Sequence, residues 1–159
     1  MTQALSESLE DYLEAIFHIV SAKRAARATD ISDRMGVNRS SVTGALRALA
    51  ERGLVNYAPY DIITLTPVGT AAAESVVRRH QVLRDFFVKV LGVDEPIADE
   101  AACGMEHHVG KVVLRKLASL AEYVAAGDRP GGEEWLAGFQ GFCRRREEAL
   151  AAATQANER

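Results

Sequence analysis

The stretch CGMEHH, residues 103–108, places three side chains that commonly bind metal ions close together. On a helix, Cys103, Glu106 and His107 occupy positions i, i+3 and i+4 and therefore lie on one face. A carboxylate, an imidazole and a single thiolate suit a borderline divalent ion such as Fe(II), Mn(II) or Co(II). They are not the sulfur-rich set of a structural zinc site. The stretch therefore predicts one half of a metal site.

Three more side chains of this kind lie elsewhere in the chain. Asp11 and Glu14 are at i and i+3 in the first predicted helix, and His80 lies among apolar positions of a long helical pattern. Each has an ordinary alternative, because an acid suits a helix N-terminus and a lone histidine is often part of a core. Their joint occurrence on three predicted helices favours a metal site in a helical bundle. The candidate ligands are Asp11, Glu14, His80, Cys103, Glu106 and His107.

A second function is indicated by residues 28–55, which contain two short helical patterns separated by MGVN. This spacing is typical of a helix-turn-helix, whose second helix presents its first turns to the bases of the major groove. Asn38 is a good N-cap for that helix and Gly53 a good residue to end it. The alternative is a plain surface helix with a solvated arginine. The candidate DNA contacts are Arg39, Ser40, Ser41, Thr43 and Arg47.

The surrounding patterns supply the elements that position both groups. A helix is predicted after an N-cap at Ser8, and two β-type runs around residues 58–61 predict a hairpin in the position of a wing. Thr66 and Pro67 begin a long helix that ends near Gly92, and three more helical patterns follow. The predicted fold is mostly α with a small β-hairpin, an N-terminal winged helix-turn-helix and an all-helical dimerisation domain. The predicted segments are 1–66 for DNA binding, 67–126 for metal binding and dimerisation, and 127–159 for a loop and a C-terminal helix.

Composition restricts the class of protein. The 159 residues are 48% hydrophobic and 26% charged, as in globular proteins, and the net charge of −3 argues against general nucleic-acid binding. DNA contact must therefore come from a local patch. The two cysteines do not make a disulfide framework, and neither a signal peptide nor a run of about 20 apolar residues is present. These features predict a cytoplasmic protein with no membrane partner.

These motifs, in this order, resemble the diphtheria toxin repressor family, and in particular its short branch of manganese transport regulators. The similar stretches are LEDYLEAIF, VNRSSVT, LTPVGTAAA, RRH and GVDEPIADEAACGMEHHV, which span residues 6 to about 126. The resemblance implies metal-activated repression of iron or manganese uptake genes by a homodimer bound to double-stranded operator DNA. It also implies metal-ligand roles for the six candidate residues, with up to two ions per subunit.

The chain departs from the pattern of the family at two positions. The manganese regulators usually carry a carboxylate where this chain has Cys103, whereas the iron-sensing branch has a thiol there but usually lacks an acid at Asp11. The iron branch also has a glutamate one turn after the long-helix histidine, where this chain has Arg84. The thiol leads us to expect Fe(II) as the activator slightly ahead of Mn(II).

Two other classes of function are alternatives to the hypothesis of a metal-activated repressor. A metal-dependent hydrolase would use similar ligands, but the sequence shows no nucleophile and base outside them, so we expect no enzyme. The stronger alternative is a winged-helix sensor of redox state or small molecules that uses Cys103 without requiring a metal. The roles of His18, His108, Cys143 and the C-terminal helix stay open.

Overall fold

The computed structural model describes residues 5–58, 62–126 and 132–157. The chain divides into two compact units, Met1–Arg79 and His80–Arg159. Seven α-helices, one π-helical turn and one two-stranded antiparallel hairpin make up the described elements. This confirms the predicted mostly helical fold. The division into functional segments with boundaries at residues 66 and 126 stays a prediction.

The first unit begins with three helices, α1 (Glu7–Lys23), α2 (Ala28–Met35) and α3 (Arg39–Glu51). They bury apolar side chains at helical spacing against one another, which explains why these patterns fold as a group. The fully buried side chains at the centre of this core are Leu13, Ile16, Ile31, Val42, Leu46, Leu49 and Ile63.

The start of α1 differs from the prediction. Ser6, and not Ser8, is the N-cap, and its hydroxyl accepts a hydrogen bond from the amide of Leu9. The earlier start places Glu7 and Glu10 in the first turn, where the positive end of the helix dipole favours acidic side chains.

The wing consists of β1 (Val55–Asn56) and β2 (Thr64–Leu65). Val55 pairs with Leu65 in antiparallel register, and an additional bridge joins Ala26 to Ile63 through two backbone hydrogen bonds. The hairpin was predicted, whereas the bridge to Ala26 was not. Of the predicted turn at residues 58–61, residues 59–61 lie outside the described part of the chain.

Helix α4 (Pro67–Phe86) begins at the predicted proline. The hydroxyl of Thr66 accepts from the amide of Gly69 and donates to the carbonyl of Gly53, so this one residue caps α4 and ties it to the end of α3. Gly69 has no side chain because the backbone of Leu54 occupies that space: a Cβ there would lie 2.7 Å from the carbonyl carbon of Leu54.

The second unit contains the end of α4, a π-helical turn (Phe87–Leu91), and helices α5 (Glu95–Met105), α6 (Lys111–Ala125) and α7 (Gly132–Asn157). Gly92, with φ +71°, ends the π-helical turn, in agreement with the predicted helix end. That turn packs against both α5 and α6. The predicted loop GDRPGG falls largely on residues 127–131, outside the described range. Among the described residues, no helix combines the length and apolar character needed to cross a bilayer.

Candidate metal centre and DNA-reading helix

The N-terminus of α3 is held by one side chain. Oδ1 of Asn38 accepts hydrogen bonds from the hydroxyl of Ser40 at 2.6 Å, the amide of Ser41 at 2.9 Å and the hydroxyl of Ser41 at 3.0 Å. The predicted N-cap is confirmed, and the two serines predicted to contact DNA also take part in the cap. The first turn of α3 is therefore capped by three hydrogen bonds to one oxygen atom.

The remaining candidate DNA contacts lie along α3. Arg39 and Arg47 are exposed, and the hydroxyl of half-buried Thr43 donates to the carbonyl of Arg39 at 2.9 Å. The opposite face of the helix packs Val42 and Leu46 in the core. All five residues thus lie on a helix whose outer side is open to solvent and whose inner side is fixed.

The acidic residues of α1 have different partners within the first unit. Glu10 pairs with the guanidinium of Arg79, and both side chains are mostly buried. Glu14 lies 3.4 Å from Nε2 of His18, one turn later on the same helix. Asp11 and Glu14 are both half-buried. The pairing of Arg79 with Glu10 was not predicted, because these two residues are far apart in the sequence.

The second unit contains a buried carboxylate, that of Glu106. Its side chain is completely buried, and it is the one buried charged residue among those described. Oε2 lies 2.8 Å from Nδ1 of His80, and Oε1 lies 3.4 Å from Nε2 of His107. Three of the six predicted ligands are therefore brought together, with one imidazole beside each carboxylate oxygen.

Cys103 lies one turn before Glu106 and is exposed. Helix α5 ends at Met105, so Glu106 is its C-cap and His107 belongs to the following turn. The prediction that all three residues share one helix is therefore wrong for His107, which lies in the turn after α5. Cys103 lies in the last turn of α5, and Glu106 caps it.

A ring of charged residues on the other side of His80 was not predicted. Nε2 of His80 lies 3.0 Å from Oδ1 of Asp99, and Arg84 pairs with Glu95 at 2.9 Å and with Asp99 at 3.6 Å. A signal for Asp99 exists in the sequence: it precedes Glu106 by seven residues, two helical turns, so both can lie on one face. Arg84, at the position where the iron branch has a glutamate, makes ion pairs with acids here.

The donor set within the second unit fits a divalent metal ion. A buried carboxylate needs a compensating positive charge, and neutral imidazoles supply ligand atoms but no charge. Carboxylate oxygen and imidazole nitrogen together suit Fe(II), Mn(II) and similar ions.

Comparison with known proteins agrees with this chemistry. Residues 66–135 match the family described as iron dependent repressor, metal binding and dimerisation domain. Residues 4–62 match the iron dependent repressor N-terminal DNA binding domain.

Individual relatives are named as transcriptional regulators and not as enzymes. An uncharacterized HTH-type transcriptional regulator of Methanocaldococcus jannaschii is 36% identical over 114 residues, 71% of this chain and 91% of the relative. The HTH-type transcriptional regulator MntR of Shouchella clausii is 34% identical over 116 residues, 73% and 80% of the two chains.

A solved manganese-dependent transcriptional repressor in complex with manganese has a similar fold. Its TM-score is 0.63 at 29% identity, and the match covers 72% of this chain and 53% of the repressor, about half of its length. The two matched domains and the extent of the aligned relatives lead to one conclusion: the chain belongs to the iron-dependent repressor family of metal-dependent transcriptional regulators.

Proposed function

We propose that the protein is a cytoplasmic, metal-activated repressor of iron or manganese uptake genes that binds double-stranded operator DNA as a homodimer. Family membership supports metal-dependent regulation, and the exposed arginines of α3 support DNA binding. The observation that carries the proposal is Glu106, a fully buried carboxylate with an imidazole at each oxygen.

We assign the metal ligands to Asp11, Glu14, His80, Cys103, Glu106 and His107. The bound metal would supply the positive charge that buried Glu106 requires and would accept ligands from both units of the chain. The two oxygens of Glu106 lie beside different imidazoles, which supports up to two ions per subunit with this carboxylate shared between them.

The ligands come from two parts of the chain, and this is the basis of the proposed switch. Asp11 and Glu14 belong to the unit that contains α3, whereas His80, Glu106 and His107 belong to the second unit. When residues of both units hold the same metal, the orientation of α3 is restrained to the state that binds DNA. A coupling of about 1–3 kcal/mol, roughly 5–150-fold in DNA affinity, is typical of such switches.

Metal preference follows from ligand softness. Asp11, Glu14 and Glu106 offer hard oxygen, while a thiolate at Cys103 favours Fe(II) or Co(II) over Mn(II). We propose Fe(II) as the activator slightly ahead of Mn(II), with Cys103 as the residue that sets the difference.

Dimerisation is proposed through the second unit. Helix α6 leaves a set of large apolar side chains in solvent, and such surfaces mark protein interfaces. They are Val112, Val113, Leu120 and Tyr123, with exposed fractions of 62%, 55%, 39% and 55%. A second copy of the same helix would cover them and give the two-fold symmetry that a palindromic operator requires.

The test is DNA binding to promoter fragments of metal-transporter genes, with Fe(II), Mn(II), Co(II) and Zn(II) titrated in turn without oxygen. We expect binding only with metal, and loss of this response in Glu106→Gln, which keeps the shape and removes the charge. Glu100→Gln, which changes an exposed acid in the helix that Glu106 caps, is the matched control and should respond as wild type does. Chelator-treated wild-type protein that binds DNA as tightly as metal-loaded protein would overturn the proposal.

The exposed thiol of Cys103 favours one alternative, a redox sensor with no required metal. In that case peroxide releases the metal-free protein from DNA, and Cys103→Ser abolishes the release. The same binding assay distinguishes the two functions, because only the redox sensor binds DNA in the presence of chelator.

A further inference from the structure

We propose that Asp99 is a positioning residue that fixes which nitrogen of His80 binds the metal; this rests on the proposed metal-sensing function. The two ring nitrogens of His80 face two carboxylates in unlike surroundings. Nδ1 lies 2.8 Å from Oε2 of Glu106, which is fully buried, and Nε2 lies 3.0 Å from Oδ1 of Asp99, which is 61% exposed. We therefore assign Nδ1, on the buried side of the ring, to the metal, and Nε2, on the exposed side, to the hydrogen bond with Asp99.

Hydrogen-bond chemistry determines the assignment. Both ring nitrogens of His80 lie within hydrogen-bond distance of a carboxylate oxygen, an atom that can only accept when the carboxylate is ionised. A metal held by Glu106 would replace the hydrogen on Nδ1, whereas the contact with Asp99 would keep the hydrogen on Nε2. That tautomer has its lone pair on Nδ1, the nitrogen beside Glu106, and a metal ligand needs this lone pair. A carboxylate on the far nitrogen also holds the ring in one orientation and makes the ligating nitrogen more basic.

Arg84 holds Asp99 in place. Its Nε lies 3.6 Å from Oδ1 of Asp99, and its Nη2 donates to Oε2 of Glu95 at 2.9 Å. His80 and Arg84 are one turn apart on α4, and Glu95 and Asp99 are one turn apart on α5. Charged side chains from two successive turns of α4 thus contact charged side chains from two successive turns of α5. Asp99 therefore has Arg84 as a second partner in addition to His80.

The exposure of this group separates its role from that of a structural ion pair. Exposed ion pairs contribute little to folding stability, because water screens them. Loss of Asp99 should consequently leave the fold intact and change the metal site. This difference makes the proposal testable without any measurement of DNA binding.

The test compares Asp99→Ala with Glu100→Ala, which removes the neighbouring exposed acid on the same helix. The affinity of the full-length protein for Mn(II) is measured by competition with a chelating dye. We expect Asp99→Ala to bind Mn(II) about 10–100-fold more weakly than Glu100→Ala, the usual effect of removing a carboxylate that orients a histidine ligand. Asp99→Asn, whose amide oxygen can still accept from Nε2, should recover part of the affinity, and the melting temperatures of all variants should agree.

A spectroscopic measurement addresses the nitrogen directly. In the Zn(II)-loaded protein with ¹⁵N-labelled histidine, we expect the shift of a metal-bound Nδ1 and a proton on Nε2 of His80. Zinc bound to Nε2 in the wild type, or equal Mn(II) affinities for Asp99→Ala and Glu100→Ala, would overturn the positioning role and leave the metal-sensing function intact. A wild-type protein that binds neither metal would overturn both.

Discussion

The guanidinium of Arg79 donates a hydrogen bond to Oε2 of Glu10 and joins α4 to α1 within the first unit. Both side chains are about four-fifths buried, with exposed fractions of 18% and 19%. The acidic helix α1 therefore has a built-in cation at Glu10, which leaves Asp11 and Glu14 as the carboxylates assigned to the metal.

Replacement of Arg79 by methionine should lower the free energy of unfolding by about 1–3 kcal/mol, because Glu10 keeps its charge in a mostly buried position. The measurement is urea-induced unfolding of the metal-free protein. Arg78→Met, at the exposed neighbouring position, is the control and should change stability little. Equal losses in the two variants would mean that the ion pair does not stabilise the unit.

Arg39→Ala and Arg47→Ala should each weaken operator binding by the metal-loaded protein. If Arg39 forms paired hydrogen bonds with a guanine, its loss costs about 1–3 kcal/mol and relaxes the base preference at one position. Fluorescence anisotropy with operator fragments and single-base variants measures both effects. Arg146→Ala, an exposed arginine on α7, is the control. Unchanged base preference in Arg39→Ala would place that side chain away from the groove.

Cys103→Glu should move the metal preference toward Mn(II), because it replaces a soft thiolate with a hard carboxylate. The measurement is the concentration of Fe(II) and of Mn(II) that gives half-maximal DNA binding, determined without oxygen. Cys143→Ser removes the other thiol and should leave the ranking unchanged. The same ranking in wild type and Cys103→Glu would show that Cys103 does not select the metal.

Gly69→Ala should destabilise the first unit by about 1–3 kcal/mol, the usual cost of forcing atoms into a packed position. The added methyl group would meet the backbone of Leu54, which cannot rotate away as a side chain can. Gly44→Ala in α3 is the opposite case, since nothing lies within 4 Å of its Cβ position. This variant should gain about 0.5–1 kcal/mol from helix propensity. Thermal or urea unfolding that ranks the two variants the other way would contradict the packing at Gly69.

Asp30 should make one part of the stability depend on pH. A hydrogen bond from Lys23 and another from the amide of Arg27 lower the pKa of Asp30 below its ordinary 3.8. Because the folded-state pKa is lowered, the stabilisation is present above the unfolded-state pKa and is lost as pH falls through the folded-state value. Urea unfolding from about pH 5 down to about pH 3 should therefore show a shrinking stability difference between wild type and Asp30→Asn. A difference that stays constant over this range would exclude the effect.

Local signals made much of the fold predictable. Asn38, Thr66 and Gly92 were recognised from sequence because capping and helix termination depend on a few adjacent residues. The buried residues of α3, which include Val42, Leu46 and Leu49, likewise follow the spacing of one helix face. The start of α1 was missed, since Ser6 and Ser8 are the same residue type two positions apart and Ser6 is the one that caps the helix.

The candidate site was predictable by residue type more than by arrangement. His80, Glu106 and His107 come together as expected, yet the contact between His80 and Asp99 depends on how α4 packs against α5. No local pattern encodes that packing. Glu106 is buried whereas Cys103, three residues earlier, is exposed, and α5 ends between them at Met105. The sequence spacing of the candidate ligands does not determine which metal they would bind.

The cap of α3 also determines the hydrogen-bond polarity of the surface that we propose to face DNA. The hydroxyl hydrogens of Ser40 and Ser41 are both directed to Oδ1 of Asn38, an atom that can only accept. While this cap persists, each hydroxyl offers solvent its lone pairs alone. Phosphate oxygens, which lack hydrogens, would be poor partners for them, whereas the exocyclic amino groups of cytosine and adenine would be good ones. In the proposed complex with DNA, the capping asparagine would therefore direct these two hydroxyls toward bases that carry amino groups.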